Sequence, residues 1–182
     1  MNTGVISTRY AKALLDYAKE QGVEDAVYES MKQLINTHHC VKDFMPVLRS
    51  PTLPQDKRVE LLCSAVAPSD VFRRFAALVV KEEREELLLF IAYAYLSLYR
   101  REKNIRVVRL TTATELPVSL KERIKLFLSE NENRTVEMEN VVDDSLIGGF
   151  IVEVDSTRLD ASVKGQLRDI RKQLVKHNRK LV

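Results

Sequence analysis

From Ile6 to Asn104, apolar positions recur at three- and four-residue spacing, with breaks at Gly22, around Pro46, at the SPTLPQ stretch from Ser50 and at the APSD stretch from Ala67. This pattern predicts five or six helices, and the short connections between them favour antiparallel packing. Pro68-Ser69-Asp70 supplies a capping group just before an apolar run, and the prolines after Ser50 set up a helix containing Lys57 to Val66. The last helix of this half runs from Glu85 to about Lys103. It is apolar all round between Leu87 and Tyr99, which predicts the most buried element of the bundle.

After Asn104 the period changes. The segment IRVVRLTTA is short and β-branched, while TVEMENVV and GFIVEV alternate apolar with acidic residues, so three strands are expected. Between the first two lies a helix with Leu120, Ile124 and Leu128 at four-residue spacing and Ser119 as its cap. The third strand is expected to end at Asp155-Ser156-Thr157-Arg158. Asp160 and Ser162 then cap a terminal helix whose Val163, Leu167, Ile170 and Leu174 form one narrow stripe. The fold class is therefore mainly α, with a helical bundle over 1–104 followed by a small α+β domain over 105–182. No repeat, low-complexity tract or flexible linker separates the two halves.

Two helices of the first half carry more apolar surface than a core-facing helix needs. In the first, Ile6, Tyr10, Ala13, Leu14 and Tyr17 form a stripe that Ala11, Leu15 and Ala18 widen to an arc of roughly 200°. In the helix around Val71 to Val80, Phe72, Phe75, Ala76, Leu78, Val79 and Val80 cover a similar arc, roughly 200°. Either both helices are deeply buried, or side by side they leave an apolar groove that accepts a partner's amphipathic helix.

Composition narrows the class without naming a chemistry. The chain has 182 residues, 45% hydrophobic and 30% charged, with only 5 Gly and 5 Pro, as expected of an ordered, helix-rich globular protein. Cys40 and Cys63 lack CxxC spacing and are too few for a disulfide framework, so both are read as buried thiols. No charged leader with a cleavage site is expected at the N-terminus, and the longest apolar run, Leu87 to Tyr99, is shorter than the roughly 20 residues that span a bilayer.

Motifs for catalysis are missing. GxxxxGK[ST], GxGxxG, HExxH and GxSxG do not occur. His38-His39-Cys40 is at most half a metal site, and the one remaining histidine is His177, so a helix-end cluster is the favoured reading. Asp143-Asp144-Ser145 reads as turn chemistry, not a carboxylate pair. Gly148-Gly149 has no following Lys-Ser/Thr and leads into a strand, which is the wrong geometry for phosphate. The pair is read as a structural turn that lets the chain bend sharply into the strand and pack closely on neighbouring helices. The terminal segment is strongly basic, with Lys164, Arg168, Arg171, Lys172, Lys176, Arg179 and Lys180 against Asp169. It is either a solvated face or an electrostatic docking surface, and without interleaved aromatics base stacking is unsupported.

At this point the chain resembles a known family. RYAKALLDYA at Arg9 to Ala18, LLLFIAYAYLSLYRREKNIRVVRLTTATEL from Leu87 and above all LIGGFIVEVDSTRLDASVKGQLRDIRKQL at Leu146 to Leu174 are similar to the delta subunit of F-type ATP synthases, the bacterial counterpart of the oligomycin-sensitivity-conferral protein. The resemblance covers essentially the whole chain. It implies a non-catalytic stator subunit without cofactor or metal, peripheral on the cytoplasmic face of the bacterial inner membrane and touching the membrane only through the complex. A six-helix N-terminal bundle would bind the N-terminal segment of an alpha subunit between its first and fifth helices, the two with over-wide arcs. The implied head-binding residues are Tyr10, Ala11, Leu14, Leu15 and Ala18 on one helix and Phe72, Phe75, Ala76 and Val79 on the other. The C-terminal domain would contact the peripheral-stalk b subunits, with Lys164, Arg168, Arg171 and Lys172 as the implied stalk-binding residues. No nucleic acid is implied. The competing reading is a helical RNA-binding factor of the transcription antitermination type, suggested by the helical bundle and a pI near 8.8; the near-neutral first half and the strand-bearing second half weigh against it.

Overall fold

The computed structural model describes residues 3–132, 135–154 and 157–178, with the side chains at 125, 127–132 and 172–178 outside that description. Two compact units emerge, Met1–Glu102 and Lys103–Val182. The chain is mostly helical with one small sheet in the second unit. Asp155 and Ser156 lie outside the described residues, as do the side chains of Leu128, Lys172 and Leu174.

The first unit contains α1 (Thr3–Glu20), α2 (Glu24–Cys40), α3 (Phe44–Leu48), α4 (Gln55–Ser64), α5 (Asp70–Lys81) and α6 (Leu88–Glu102). Gly22 ends α1 by taking φ +65°, where its N–H donates to Lys19 O and Val23 N–H to Ala18 O, closing the orphan carbonyls of the last turn. Ser69 caps α5 by accepting from Phe72 N at 3.2 Å. Pro46 does not interrupt the chain: it sits within α3, inside the first turn, where a missing N–H costs no intrahelical bond. The helix begun after Pro54 stops at Ser64, short of Val66.

Helix α6 organises the core, with α1 and α2 packed along it. Tyr28 stacks on Tyr99 at 4.2 Å between centroids, the Tyr99 hydroxyl donates to Asp25 Oδ1 at 2.7 Å and the Tyr95 hydroxyl to Glu24 O at 3.1 Å. Burial pushes both the Tyr95 and Tyr99 hydroxyls well above their ordinary pKa. The helix is not buried all round. Ile91, Ala92 and Tyr95 are inaccessible, while Phe90 and Tyr93 on the opposite face are exposed. Apolar residues on that face reflect that composition alone does not fix burial.

The second unit is a four-stranded sheet in the order β2-β1-β3-β4, with β1 (Ile105–Thr112), β2 (Thr135–Val142), β3 (Gly149–Val154) and β4 (Thr157–Ser162). β1 and β2 are parallel and joined by the crossover helix α7 (Val118–Glu132), which packs on β2; β3 runs antiparallel to β1, and β4 to β3. The fourth strand corrects the three-strand reading. TRLDAS has weak alternation, but once β3 is fixed its open edge pairs the returning chain from Val154↔Thr157 to Gly149↔Ser162. Ser119 is not the cap of α7. That helix starts at Val118, and Leu120 N–H donates to Pro117 O.

The terminal helix α8 (Val163–Asn178) begins directly after β4. Ser162 Oγ accepts from Gly165 N at 3.0 Å, and Asp160 Oδ1 holds Ser162 by accepting from its N at 3.0 Å and its Oγ at 2.6 Å. Cys40 is exposed at the end of α2 and Cys63 is half-buried, so neither is a fully buried thiol. The reading failed because a helix-end position leaves a side chain without neighbours on one side. His39, in the same cluster, has its Nε2 at 3.1 Å from the Tyr93 hydroxyl.

Candidate functional site

The wide apolar arcs of α1 and α5 are divided between two destinations. On α1, Ala11, Leu15 and Ala18 turn inward and are buried, and on α5 Phe72, Ala76 and Val79 do the same. These six belong to the packed interior and do not line an open surface. On the other side of each arc, Tyr10, Ala13, Leu14 and Tyr17 of α1 face Val71, Arg74, Phe75 and Leu78 of α5 across a groove of ≈ 260 Å³. Of the nine residues assigned to the groove from the sequence, the structure brings Tyr10, Leu14 and Phe75 together there. Leu14 and Phe75 form its floor and are buried, whereas Leu78 on its wall is 47% exposed. Ala13, Tyr17 and Leu78 were within the apolar arcs, but only packing reveals on which side of the arc they fall.

The groove has polar ends. Arg74 Nη1 donates to the Tyr17 hydroxyl at 2.5 Å, and Arg84 Nη1 to the Tyr10 hydroxyl at 2.9 Å. Arg84 also lies over the Tyr10 ring, 5.4 Å from its centroid. Between these ends the lining is apolar, so the surface can desolvate an apolar strip of a ligand but offers no nucleophile, acid or base. Arg84 follows α5 in the sequence and carried no signal pointing to the groove.

The second unit has its own apolar hollow, of ≈ 640 Å³. Leu110, Thr112, Phe150 and Val152 from the sheet form one wall, and Leu120 and Ile124 of α7 form the other. The turn at its mouth is built from Asp143, whose Oδ1 accepts from Ser145 N at 2.9 Å, followed by Ile147 at φ 67° and Gly149 at φ +78°. A Cβ on Gly149 would lie 2.3 Å from Ala161 O, so the close approach there is to the backbone of β4, not to a helix. Gly148 instead meets α8, with Val163 Cγ2 3.4 Å from where its Cβ would be.

The hollow therefore adjoins the first turn of the basic helix. Along α8, Lys164, Arg168 and Arg171 are exposed, with Lys164 Nζ on Ser145 Oγ at 3.1 Å and Arg168 Nη2 3.6 Å from Asp160 Oδ2. Its apolar stripe is exposed as well: Leu167 and Ile170 are more than half accessible. Among the described residues no group of three His, Cys, Asp or Glu side chains is arranged to hold a metal, and no helix is long and apolar enough to cross a membrane.

Comparison with known proteins gives a consistent picture. Residues 6–174 match the family model described as ATP synthase delta (OSCP) subunit. The chain is 40% identical over 185 residues to the ATP synthase subunit delta of Phocaeicola vulgatus and 39% identical over 186 residues to that of Bacteroides fragilis, in both cases over 100% of each chain. A more distant relative, the ATP synthase subunit delta of Rickettsia africae, is 31% identical over 96% of each chain. The fold resembles a chain in the cryo-EM structure of the Toxoplasma gondii mitochondrial ATP synthase hexamer, with TM-score 0.68 and 20% identity over 93% of this chain and 97% of that one.

Proposed function

This chain belongs to the ATP synthase delta (OSCP) subunit family, and from that premise we propose that its first unit seats the N-terminal segment of an alpha subunit while its second unit holds the peripheral-stalk b subunits. The protein is a non-catalytic stator subunit of ATP synthase, a peripheral component of a membrane complex. In this reading the six helices of the first unit form the head-docking bundle, and the chain sits on the cytoplasmic face of the bacterial inner membrane. The RNA-binding alternative loses its support, because the family match spans nearly the whole chain.

The observation that carries the head-docking half is the apolar groove between α1 and α5. A stator has to hold the head against rotor torque, which requires a slow off-rate. An apolar helix desolvated in a groove supplies that better than surface ion pairs, each worth about 0–1 kcal/mol. For the stalk-docking half, exposed Leu167 and Ile170 beside Lys164, Arg168 and Arg171 give α8 an apolar strip flanked by positive charge. That combination suits the highly charged helices of a stalk.

The test uses the catalytic head stripped of this chain. Leu14→Asp or Phe75→Asp would bury a charge in the bundle, so the informative substitutions are at accessible groove positions, Ala13→Glu and Leu78→Asp. Loss of head binding with an unchanged thermal unfolding profile is the expected result. Wild-type affinity in both variants would overturn the groove assignment.

A further inference from the structure

Resting on the groove reading above, we propose that the α1/α5 groove selects an amphipathic helix carrying acidic side chains at both ends of a two-turn apolar stripe, and that Arg74 and Arg84 are the residues that read those charges.

Tyr10 and Tyr17 are seven residues apart on α1, so their rings mark points about two turns, or about 10 Å, apart along the groove. Each hydroxyl accepts a hydrogen bond from one arginine, Arg84 at the Tyr10 end and Arg74 at the Tyr17 end. A phenol hydroxyl fixes a guanidinium in place without neutralising it, since it offers a lone pair and no charge. Among the described residues neither arginine pairs with a carboxylate. Arg74 lines the trough, and Arg84, outside its lining, is fixed on the Tyr10 that lines it, so two positive charges flank the apolar surface, each with further N–H donors to offer.

This placement has consequences for selection. A surface ion pair usually contributes little because two long side chains must be ordered to form it. Here the tyrosines have already ordered one side of each pair, which lowers that cost. The apolar walls exclude water from one side of each charge and strengthen the attraction to an incoming carboxylate. A helix with Lys or Arg at the same two places would meet like charge instead. Residence time is then set by the apolar floor, and the choice of helix by the two ends.

The experiment measures binding of the full chain to the stripped catalytic head over a salt series, with thermal unfolding of every variant as the fold control. The R74Q/R84Q pair is expected to bind about tenfold more weakly at low salt and to lose most of the wild-type salt dependence. The R74K/R84K pair keeps the charges and should keep most of that dependence, so a lysine pair that loses it counts against the proposal even if the glutamine pair folds poorly. Leu78→Asp should weaken binding at least about tenfold at every salt concentration. If R74Q/R84Q, or a lysine pair that has lost its salt dependence, shows that charge at these ends is irrelevant while Leu78→Asp still weakens binding, the groove stands and the charge selection falls. If Leu78→Asp binds like wild type, both are overturned.

Discussion

Arg58 and Glu85 form an ion pair at 2.9 Å, with both side chains largely withdrawn from solvent, at 13% and 6% exposure. The same guanidinium donates to Leu53 O at 2.9 Å through Nε and to Ser50 O at 3.1 Å through Nη2. One arginine thus ties the proline-rich connection before α4 to the turn that opens α6. Removing only one partner leaves a buried charge uncompensated. Glu85→Gln is therefore expected to cost the first unit about 3 kcal/mol in chemical denaturation. A double variant, Arg58→Met with Glu85→Leu, should cost less than the sum of the single changes.

Head binding should respond to accessible groove residues and be indifferent to conservative changes elsewhere on the same helices. Leu78→Asp is expected to reduce affinity for the stripped head at least about tenfold, because it puts a charge against the apolar strip of the ligand. Ala77→Ser, one position away on an exposed part of α5, should leave the affinity within about twofold. Surface plasmon resonance on the two variants checks both.

The two adjacent glycines should behave differently. Gly149→Ala requires a left-handed residue with a Cβ at 2.3 Å from a backbone oxygen of β4, and is expected to destabilise the second unit by about 2–4 kcal/mol. Gly148→Ala meets only a methyl group of Val163 at ordinary contact distance and should change stability by less than about 1 kcal/mol. Urea unfolding of the two variants distinguishes them.

Acid should loosen the entry to α8. The Asp160 carboxyl is held below its ordinary pKa, first by the hydrogen bond from the Ser162 side chain and then by the one from its backbone. A carboxylate whose pKa is lowered by folding stabilises the fold above its unfolded value and loses that contribution as pH falls through the folded one. The second unit should therefore weaken below about pH 4. Asp160→Asn is expected to flatten this dependence, as followed by circular dichroism across an acid titration.

Stalk assembly should depend on the apolar stripe of α8 more than on any single cation. Leu167→Asp is expected to weaken retention of b subunits in detergent-purified complexes strongly, whereas Arg168→Gln should have a small effect. Retention unaffected by Leu167→Asp would remove α8 from the stalk contact.

Local chemistry made much of this architecture legible. Gly22 and Ser69 end and begin helices because a positive φ and a short oxygen-bearing side chain act within one turn of chain. The two alternating segments became β2 and β3 because period two has one half-buried solution, and the β-branched IRVVRLTTA became β1 because such side chains fit a pleated surface. The over-wide arcs on α1 and α5 marked these two helices out but left open whether the extra apolar surface was buried or formed a groove.

What the sequence by itself determined is therefore where most turns fall, which segments are helical and three of the four extended ones, and which residues are apolar enough to be covered. Tertiary structure alone decided what covers them. Ala11 and Ala13 are two residues apart and chemically identical, yet one is sealed in the core and the other faces the groove, because α6 packs against one side of α1 while, among the described residues, the groove shared with α5 stays open on the other. β4 exists because β3 offers an open edge, and Arg84 reaches Tyr10 because the turn that follows α5 lies beside α1. Propensity acts over a few residues, whereas burial, strand pairing and groove ends arise from contacts between residues distant in sequence, which the local pattern does not encode.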